Sequence, residues 1–173
     1  MNLKALAYQL RRDTIDIICA GKAGHIGGDM SVMEILVELY FDQMKIDAKN
    51  PEDSNRDLFV LSKGHSMEAY YAVLAEKGFL DKEDILKNFS KFGSKYIGHP
   101  NNKLPGIEMN SGSLGHGLPV CVGMAKAAKM SQQKSWSRFS VDSSASFQSF
   151  SSFCNVARRE TTSVTSSKRS ISS

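Results

Sequence analysis

The sequence predicts an α/β fold with a parallel sheet and flanking helices, and three observations support this prediction. The apolar run LFVL, residues 58–61, has the length and composition of a strand buried on both faces. The glycine turn SKGH, residues 62–65, follows it at once, and helical spacing begins directly afterwards. Further segments with helical spacing lie on both sides of this unit. With 173 residues, the chain is long enough for one domain of ordinary size.

The first two predicted elements are helices. Apolar residues recur on one helical face from residue 2 to about residue 20, and Gly21 and Gly24 end that helix. A second helix is expected to begin at Ser31, because Ser31 and Glu34 have the spacing of a capping box and an apolar stripe follows as far as Tyr40.

Three more helices are expected after the strand. One runs from about residue 66 to residue 77 and stops at Gly78, and another is capped by Asp81 and reaches about residue 90. A long connection rich in glycine and proline leads to a last helix over residues 118–130. No second strand is evident from the pattern.

The chain changes character after Met130. All thirteen glycines lie at or before Gly123, whereas residues 131–173 contain sixteen serines in 43 positions. The sequence therefore divides into a domain over residues 1–130 and an irregular, Ser-rich tail over residues 131–173. The tail is expected to be either translated out of frame or disordered and regulatory.

Charge and cysteine content exclude several classes of protein. The first 130 residues carry 16 basic and 16 acidic side chains, so the net charge of +4 comes from the tail, where the basic residues are sparse. Nucleic-acid binding is therefore disfavoured. Three widely spaced cysteines indicate reduced thiols, and no apolar stretch is long enough to span a membrane. We expect a soluble, cytoplasmic protein that binds neither nucleic acid nor membrane.

Each of the four histidines has a glycine neighbour: His25, His65, His99 and His116. Small neighbours allow a ligand to approach the imidazole and the backbone, and imidazole suits proton transfer near neutral pH. The alternative is that these are four independent surface turn residues. Separations of 40, 34 and 17 residues, without a cysteine pair, do not match a zinc site.

The glycine-rich loop, residues 111–117 with the sequence SGSLGHG, leads into the last helix. Its backbone N–H groups are candidates for contact with a phosphate or a heterocycle. The spacing is neither that of a dinucleotide fingerprint nor that of a Walker loop.

Three long segments carry a more specific signal. They read GHIGGDMSVMEILVELYF, RDLFVLSKGHSMEAYYAVLAEKGF and IGHPNNKLPGIEMNSGSLGHGLPVCVGMAKAAK. In this order they resemble the N-terminal section of transketolase, and most closely the short N-terminal subunit of split transketolases, over about residues 3–130. The resemblance implies a partial thiamine-diphosphate-binding fold. It also implies transfer of a two-carbon ketol unit between sugar phosphates, a reaction of the pentose phosphate pathway.

The resemblance also implies roles for single residues. His65 corresponds to the histidine that contacts the cofactor's diphosphate near the reactive ring. His25 and His99 correspond to histidines that line the substrate channel, so these three are the catalytic candidates. Gly112 and Leu114 match the loop that touches the aminopyrimidine. His116 stands where many single-chain transketolases have glutamine, and it is a further candidate for cofactor binding.

Two departures from the family pattern lead to further expectations. The family holds Mg²⁺ with a Gly-Asp-Gly motif and a later asparagine, but this chain has Val141-Asp142-Ser143-Ser144 at that place, and we assign no metal ligand. The half of the enzyme that supplies the activating glutamate lies outside these residues. A C-terminal transketolase subunit is therefore the expected partner, in a hetero- or homo-oligomer.

The expected function is that of a transketolase N-terminal subunit whose activity is lost with the metal motif. Two alternatives stay open at this point. One is a non-catalytic interaction protein that keeps the surface through which subunits associate. The other is a different thiamine-diphosphate-dependent transferase, such as deoxyxylulose-phosphate synthase.

Overall fold

A computed structural model describes residues 1–130 and 139–142. Within these residues the chain forms five α-helices, one π-helical turn and two strands. In chain order they are α1 (Leu3–Gly21), α2 (Ile26–Glu38), the π-helical turn (Leu39–Gln43), β1 (Leu58–Leu61), α3 (Met67–Lys77), α4 (Lys82–Asn88), α5 (Gly117–Met130) and β2 (Phe139–Asp142).

Four of the predicted elements are confirmed, and for three of them, α3, α4 and β1, the signal or bounds read from the sequence are also found. The side chain of Asn2 caps α1 by accepting from the backbone N–H of Ala5 at 3.1 Å. Gly78 ends α3 in the left-handed conformation with φ 92°, which suits a residue without a Cβ. Asp81 caps α4 by accepting from the backbone N–H of Asp84 at 2.8 Å. Strand β1 has the predicted bounds, and all four of its residues are buried.

The prediction for the start of α2 is wrong. The helix begins at Ile26, five residues before Ser31. The Ser31 hydroxyl bonds back to the Gly28 carbonyl at 2.9 Å, as serine does inside a helix, and Glu34 pairs with Arg11 of α1. The two polar residues of the apparent capping box are therefore engaged in contacts within and between helices.

The strands β1 and β2 pair in parallel, with Leu58 opposite Phe139 and Leu61 opposite Asp142. Strand β2 lies in the segment for which the sequence predicts no regular structure, so that prediction is wrong for residues 139–142. A larger parallel sheet stays a prediction. The expectations of disorder or of a wrong reading frame for the other residues of the 131–173 segment lie outside the described residues.

Helix α3 is central to the packing. It contacts α1, α2 and α4, and residues 67–74 are buried on every side of the helix. The rings of Tyr40, Phe59 and Tyr70 meet edge to face with centroids 5.2–5.8 Å apart. Pairs of this geometry contribute about 1 kcal/mol each beyond the burial of their apolar area. Because α3 starts just after β1, this core holds the carboxyl end of β1 in place.

Two polar contacts fix the long connection before α5. The Tyr40 and Tyr70 hydroxyls lie 2.6 Å apart, and Tyr70 donates to the Gly106 carbonyl at 2.7 Å. Arg56, just before β1, forms a two-pronged ion pair with Glu108, and their side chains are only 15% and 11% exposed. The segment that leads into the glycine-rich loop is thereby attached to the core. No helix in the described residues is long and apolar enough to cross a membrane.

Candidate functional site

The glycine-rich loop crosses the carboxyl end of β1. The Ser62 carbonyl accepts from the N–H of Gly115 at 2.9 Å, and the Ser62 hydroxyl accepts from the N–H of Leu118 at 3.2 Å. The Ser111 hydroxyl donates to the Leu61 carbonyl at 3.2 Å. Two backbone carbonyls and one hydroxyl at the end of β1 thus bond to the loop, which is therefore held at the point where α/β proteins place ligands.

Two glycines permit this close packing. A Cβ on Gly117 would lie 2.8 Å from both the Ser62 Cα and the Val60 Cγ1. A Cβ on Gly64 would lie 2.7 Å from the Ser111 hydroxyl and 3.1 Å from the Pro100 Cδ. Real Cβ atoms do not approach other atoms to 2.7–2.8 Å. Glycine at these two positions therefore allows the turn after β1, the long connection and the glycine-rich loop to pack together.

His25, His65 and His99 form one group, which we call the histidine cluster. Their ring centroids are 5.1 Å apart for His25 and His65, 4.9 Å for His65 and His99, and 6.3 Å for His25 and His99. His25 precedes α2, His65 ends the turn after β1, and His99 lies in the long connection. The alternative of four independent surface residues is therefore wrong for these three.

The cluster combines exposed and buried ring atoms. His25 is exposed, while His65 and His99 are half-buried. Burial and then repulsion from His65 and His25 lower the pKa of His99, which favours its neutral form. The buried Nδ1 of His65 has no hydrogen-bond partner in the described residues. Such an atom is free to bind a polar group of a ligand.

The structure does not bring His116 into the cluster. His116 is exposed on the glycine-rich loop and, among the described residues, makes no ring contact with the other histidines. Leu114 is 71% exposed, and a Cβ on Gly112 would meet no atom within 4 Å. The glycine-rich loop therefore contacts the end of β1, whereas its Leu114 and His116 side chains are exposed and the space beside Gly112 is empty of atoms from the described residues.

Two acidic residues near the cluster do not stand out in the sequence pattern. Asp29 and Glu68 are 0% and 1% exposed, and they lie in the first turns of α2 and α3. Burial, together with the nearby Glu68, raises the pKa of Asp29 to about 7, and burial also raises the pKa of Glu68. One sequence signal points to them: each follows a candidate histidine by about one helical turn.

Lys63 joins the turn after β1 to the beginning of α2. Its ammonium donates to the Gly28 carbonyl at 2.8 Å and to the Ser31 hydroxyl at 2.9 Å. The side chain is 3% exposed, so these bonds form away from bulk water. They help to set the distance between the segments that carry His25 and His65.

Comparison with known proteins identifies the family. Residues 3–151 match the family described as transketolase, thiamine diphosphate binding domain. The chain belongs to the transketolase family. The match continues past Met130 and includes the residues of β2.

Relatives include transketolases with separate subunits. The chain is 50% identical to an apulose-4-phosphate transketolase subunit of Phocaeicola vulgatus over 120 residues, which cover 69% of this chain and 42% of that protein. It is 44% identical to the protein of the same name from Actinobacillus succinogenes over 134 residues, covering 76% and 48%. The chain thus spans less than half the length of these curated relatives.

A solved transketolase has a similar fold. The structure of transketolase from Campylobacter jejuni matches with a TM-score of 0.69 and 37% identity, covering 76% of this chain and 21% of that chain. The residues at the end of β1 fit thiamine diphosphate in two respects. The His65 Nδ1 lacks a partner, and the glycine-rich loop has open space at Gly112.

The residues do not fit a transketolase magnesium site equally well. Within residues 1–130 and 139–142, no group of three or more His, Cys, Asp or Glu side chains is arranged to hold a metal ion. Residues 141–144, where the sequence resemblance leads us to expect the Gly-Asp-Gly motif, read Val-Asp-Ser-Ser in this chain.

Proposed function

We propose that this chain is the N-terminal subunit of a split, cytoplasmic transketolase. In this role it binds the diphosphate of thiamine diphosphate and associates with a second subunit of an enzyme family whose reaction is the transfer of a two-carbon ketol unit from a ketose phosphate to an aldose phosphate. The observation that carries the proposal is the histidine cluster at the carboxyl end of β1. Its support is the similarity to relatives that are themselves named as single subunits of a transketolase.

Each candidate residue has a distinct role in this proposal. His65 donates a hydrogen bond to the diphosphate through its unpartnered Nδ1. Gly112 and Leu114 contact the aminopyrimidine, and His116 approaches the cofactor from the same loop. His25 and His99 bind substrate hydroxyl groups and move protons to and from the reacting oxygen. When bound, thiamine diphosphate supplies the electron sink for cleavage of the ketose carbon–carbon bond.

Exposed apolar side chains lie near the cluster and on the glycine-rich loop. Ile26 and Ile97, each within two residues of a cluster histidine, are 55% and 44% exposed, and Leu114 on the loop is 71% exposed. Exposed apolar side chains beside a site are typical of surfaces that another chain covers. We propose that a C-terminal transketolase subunit covers this surface and supplies the activating glutamate.

The absent metal motif leads us to propose that the chain is inactive in ketol transfer. Mg²⁺ requires oxygen ligands at fixed positions beside the phosphates, and the Val-Asp-Ser-Ser segment lacks the two glycines of the family motif. The non-catalytic alternative is an interaction protein, which the exposed Ile26, Ile97 and Leu114 favour. The SKGH turn and the glycine-rich loop favour transketolase over other thiamine-diphosphate-dependent transferases.

Calorimetric titration with thiamine diphosphate tests the binding site. The full chain is titrated with and without Mg²⁺, beside the His65→Gln variant and a Gly123→Ala control on an exposed part of α5. We expect binding that His65→Gln weakens at least about tenfold, that Gly123→Ala preserves, and that Mg²⁺ changes less than about twofold. Equal binding by wild type and His65→Gln would contradict the role of His65. A strong effect of Mg²⁺ would contradict the missing metal site.

A second experiment tests activity and association separately. The chain is mixed with a C-terminal transketolase subunit, Mg²⁺, thiamine diphosphate, a ketose phosphate and an aldose phosphate. We expect no ketol transfer, and turnover that is abolished by His65→Gln would overturn this expectation. Light scattering of the same mixture reports a defined complex if the partner surface is intact, whereas polydisperse particles would argue against an interaction role.

A further inference from the structure

Asp29 and Glu68, which we call the carboxyl pair, connect the beginnings of α2 and α3. Asp29 Oδ1 accepts from the backbone N–H of Ala69 at 3.0 Å. The other oxygens, Asp29 Oδ2 and Glu68 Oε2, are buried and have no donor among the described groups. Each acidic residue lies about one turn after a member of the histidine cluster, since His25 precedes α2 and His65 precedes α3.

A single proton shared between the Asp29 and Glu68 carboxyl groups lowers the free-energy cost of burying them together. The side chains of Asp29 and Glu68 lie within hydrogen-bonding range of each other. Two ionised carboxylates at this range repel each other, and burial increases the free-energy cost of each charge. A single proton between them turns one oxygen into a donor for the other and leaves one negative charge. That charge lies at the first turns of two helices, where the N-terminal dipole stabilises it.

All three histidine segments meet this pair. The backbone N–H of His25 lies near Glu68 and favours its ionised form. The segment before His99 passes beside the same side chain, because a Cβ on Gly98 would lie 3.8 Å from Glu68 Oε1. His65 is attached to the pair through the first turn of α3.

We propose that Asp29 and Glu68 are positioning residues: by sharing one proton, they hold the segments of His25, His65 and His99 at the spacing seen in the cluster. The ring geometry follows from contacts within this chain. Only its consequence for bound thiamine diphosphate rests on the proposed function. Asp29 and Glu68 are 0% and 1% exposed, so we assign them a positioning role and not a catalytic one.

Other titratable groups lie near the pair. The His25 imidazole attracts the Asp29 carboxylate, and the Tyr71 phenol on α3 is close enough to Glu68 to be influenced by its charge. Lys63 bonds to the Gly28 carbonyl, one residue before Asp29. A change of pH therefore alters several charges at once, and a test requires a variant in which only the shared proton is replaced.

Glu68→Gln is such a variant, because an amide donates a hydrogen bond to Asp29 at any pH. The experiment measures nuclear Overhauser effects between the imidazole protons of His25 and His65 in the full, cofactor-free chain from about pH 6 to about pH 9. In the wild type we expect the signal to lose more than about half its intensity as the second carboxyl ionises. In Glu68→Gln it should stay constant, and an exposed control on the same helix, Glu76→Gln, should behave as the wild type.

Two outcomes would overturn the proposal. One is a wild-type signal that depends on pH no more than that of Glu68→Gln. The other is a Glu68→Ala variant that is folded by its amide spectrum and keeps the full signal at every pH. Because no cofactor is present, neither result depends on whether the chain binds thiamine diphosphate.

Discussion

The rings of His65 and His99 lie edge to face with centroids 4.9 Å apart, although 34 residues separate them in the chain. His65 follows β1, and His99 precedes Pro100, whose ring packs near Gly64. At this distance, repulsion from His65 contributes to lowering the pKa of His99.

The first prediction concerns the charge of His99. Burial and the neighbouring His65 and His25 lower its pKa, so it should titrate below about 6.5, the value for free histidine. The variant His65→Gln removes one source of repulsion and should raise the pKa of His99. Imidazole NMR signals followed across pH measure this. An unchanged or lower pKa of His99 in the variant would show that the two rings do not interact electrostatically.

The second prediction concerns stability and pH. The pKa of Asp29 is about 7 in the folded chain and near 3.8 when unfolded, so the folded state binds more protons between these values. Its contribution to the free energy of unfolding is therefore greatest at low pH and declines as pH rises through this window. The Asp29→Asn variant has no carboxyl group to ionise at this position, so its free energy of unfolding should not show this decline. Relative to wild type, it should gain up to about 4 kcal/mol between about pH 4 and about pH 7.

Urea unfolding at a series of pH values measures this difference. The control is Asp16→Asn, at an exposed position on α1, for which the difference from wild type should stay nearly constant. If the Asp29→Asn and wild-type curves run parallel across the window, Asp29 does not carry a raised pKa.

The third prediction compares two glycines of α5. Gly117→Ala places a methyl group 2.8 Å from the Ser62 Cα, which is backbone and cannot move aside easily, so we expect a loss of about 1–3 kcal/mol. Gly123→Ala meets no atom within 4 Å and should gain about 0.5–1 kcal/mol, since alanine favours helix. Chemical unfolding distinguishes the two. Equal stability of the variants would mean that α5 does not pack tightly on β1.

The fourth prediction concerns the ion pair between Arg56 and Glu108. Both side chains are largely buried, so Glu108→Gln leaves a poorly compensated guanidinium and should cost about 3 kcal/mol. Glu34 is 63% exposed in its pair with Arg11, so Glu34→Gln should cost less than about 1 kcal/mol. Thermal unfolding of both variants measures the two losses of stability. Similar losses would show that the ion pair between Arg56 and Glu108 contributes no more than an exposed ion pair.

Local signals predicted the elements that depend on local interactions. The cap at Asp81 and the left-handed Gly78 act within a few residues, and the start of α4 and the end of α3 follow from them. The capping pattern at Ser31 and Glu34 failed because Arg11, from another helix, engages Glu34. Strand β2 was not predicted because it is defined by its pairing with β1, which lies about eighty residues away in sequence.

Only part of the candidate site could be predicted from the sequence, again because local signals were visible and tertiary contacts were not. Glycine neighbours indicated His25, His65 and His99, because a close backbone approach needs glycine locally. Asp29 and Glu68 resemble ordinary surface residues in sequence, since acidic side chains are seldom buried, and only packing of α2 on α3 encloses them. His116 shares the glycine pattern, yet its ring is exposed and apart from the others.

The histidine cluster draws one member from each of three separate segments, so no continuous peptide shorter than residues 25–99 contains it. Its ring contacts vanish when either helix start or the long connection detaches, even if every helix persists. The ring contacts of the histidine cluster therefore report whether the tertiary structure of these segments is intact. A collapsed, loosely packed state would keep its helical circular dichroism and lose the imidazole contacts first.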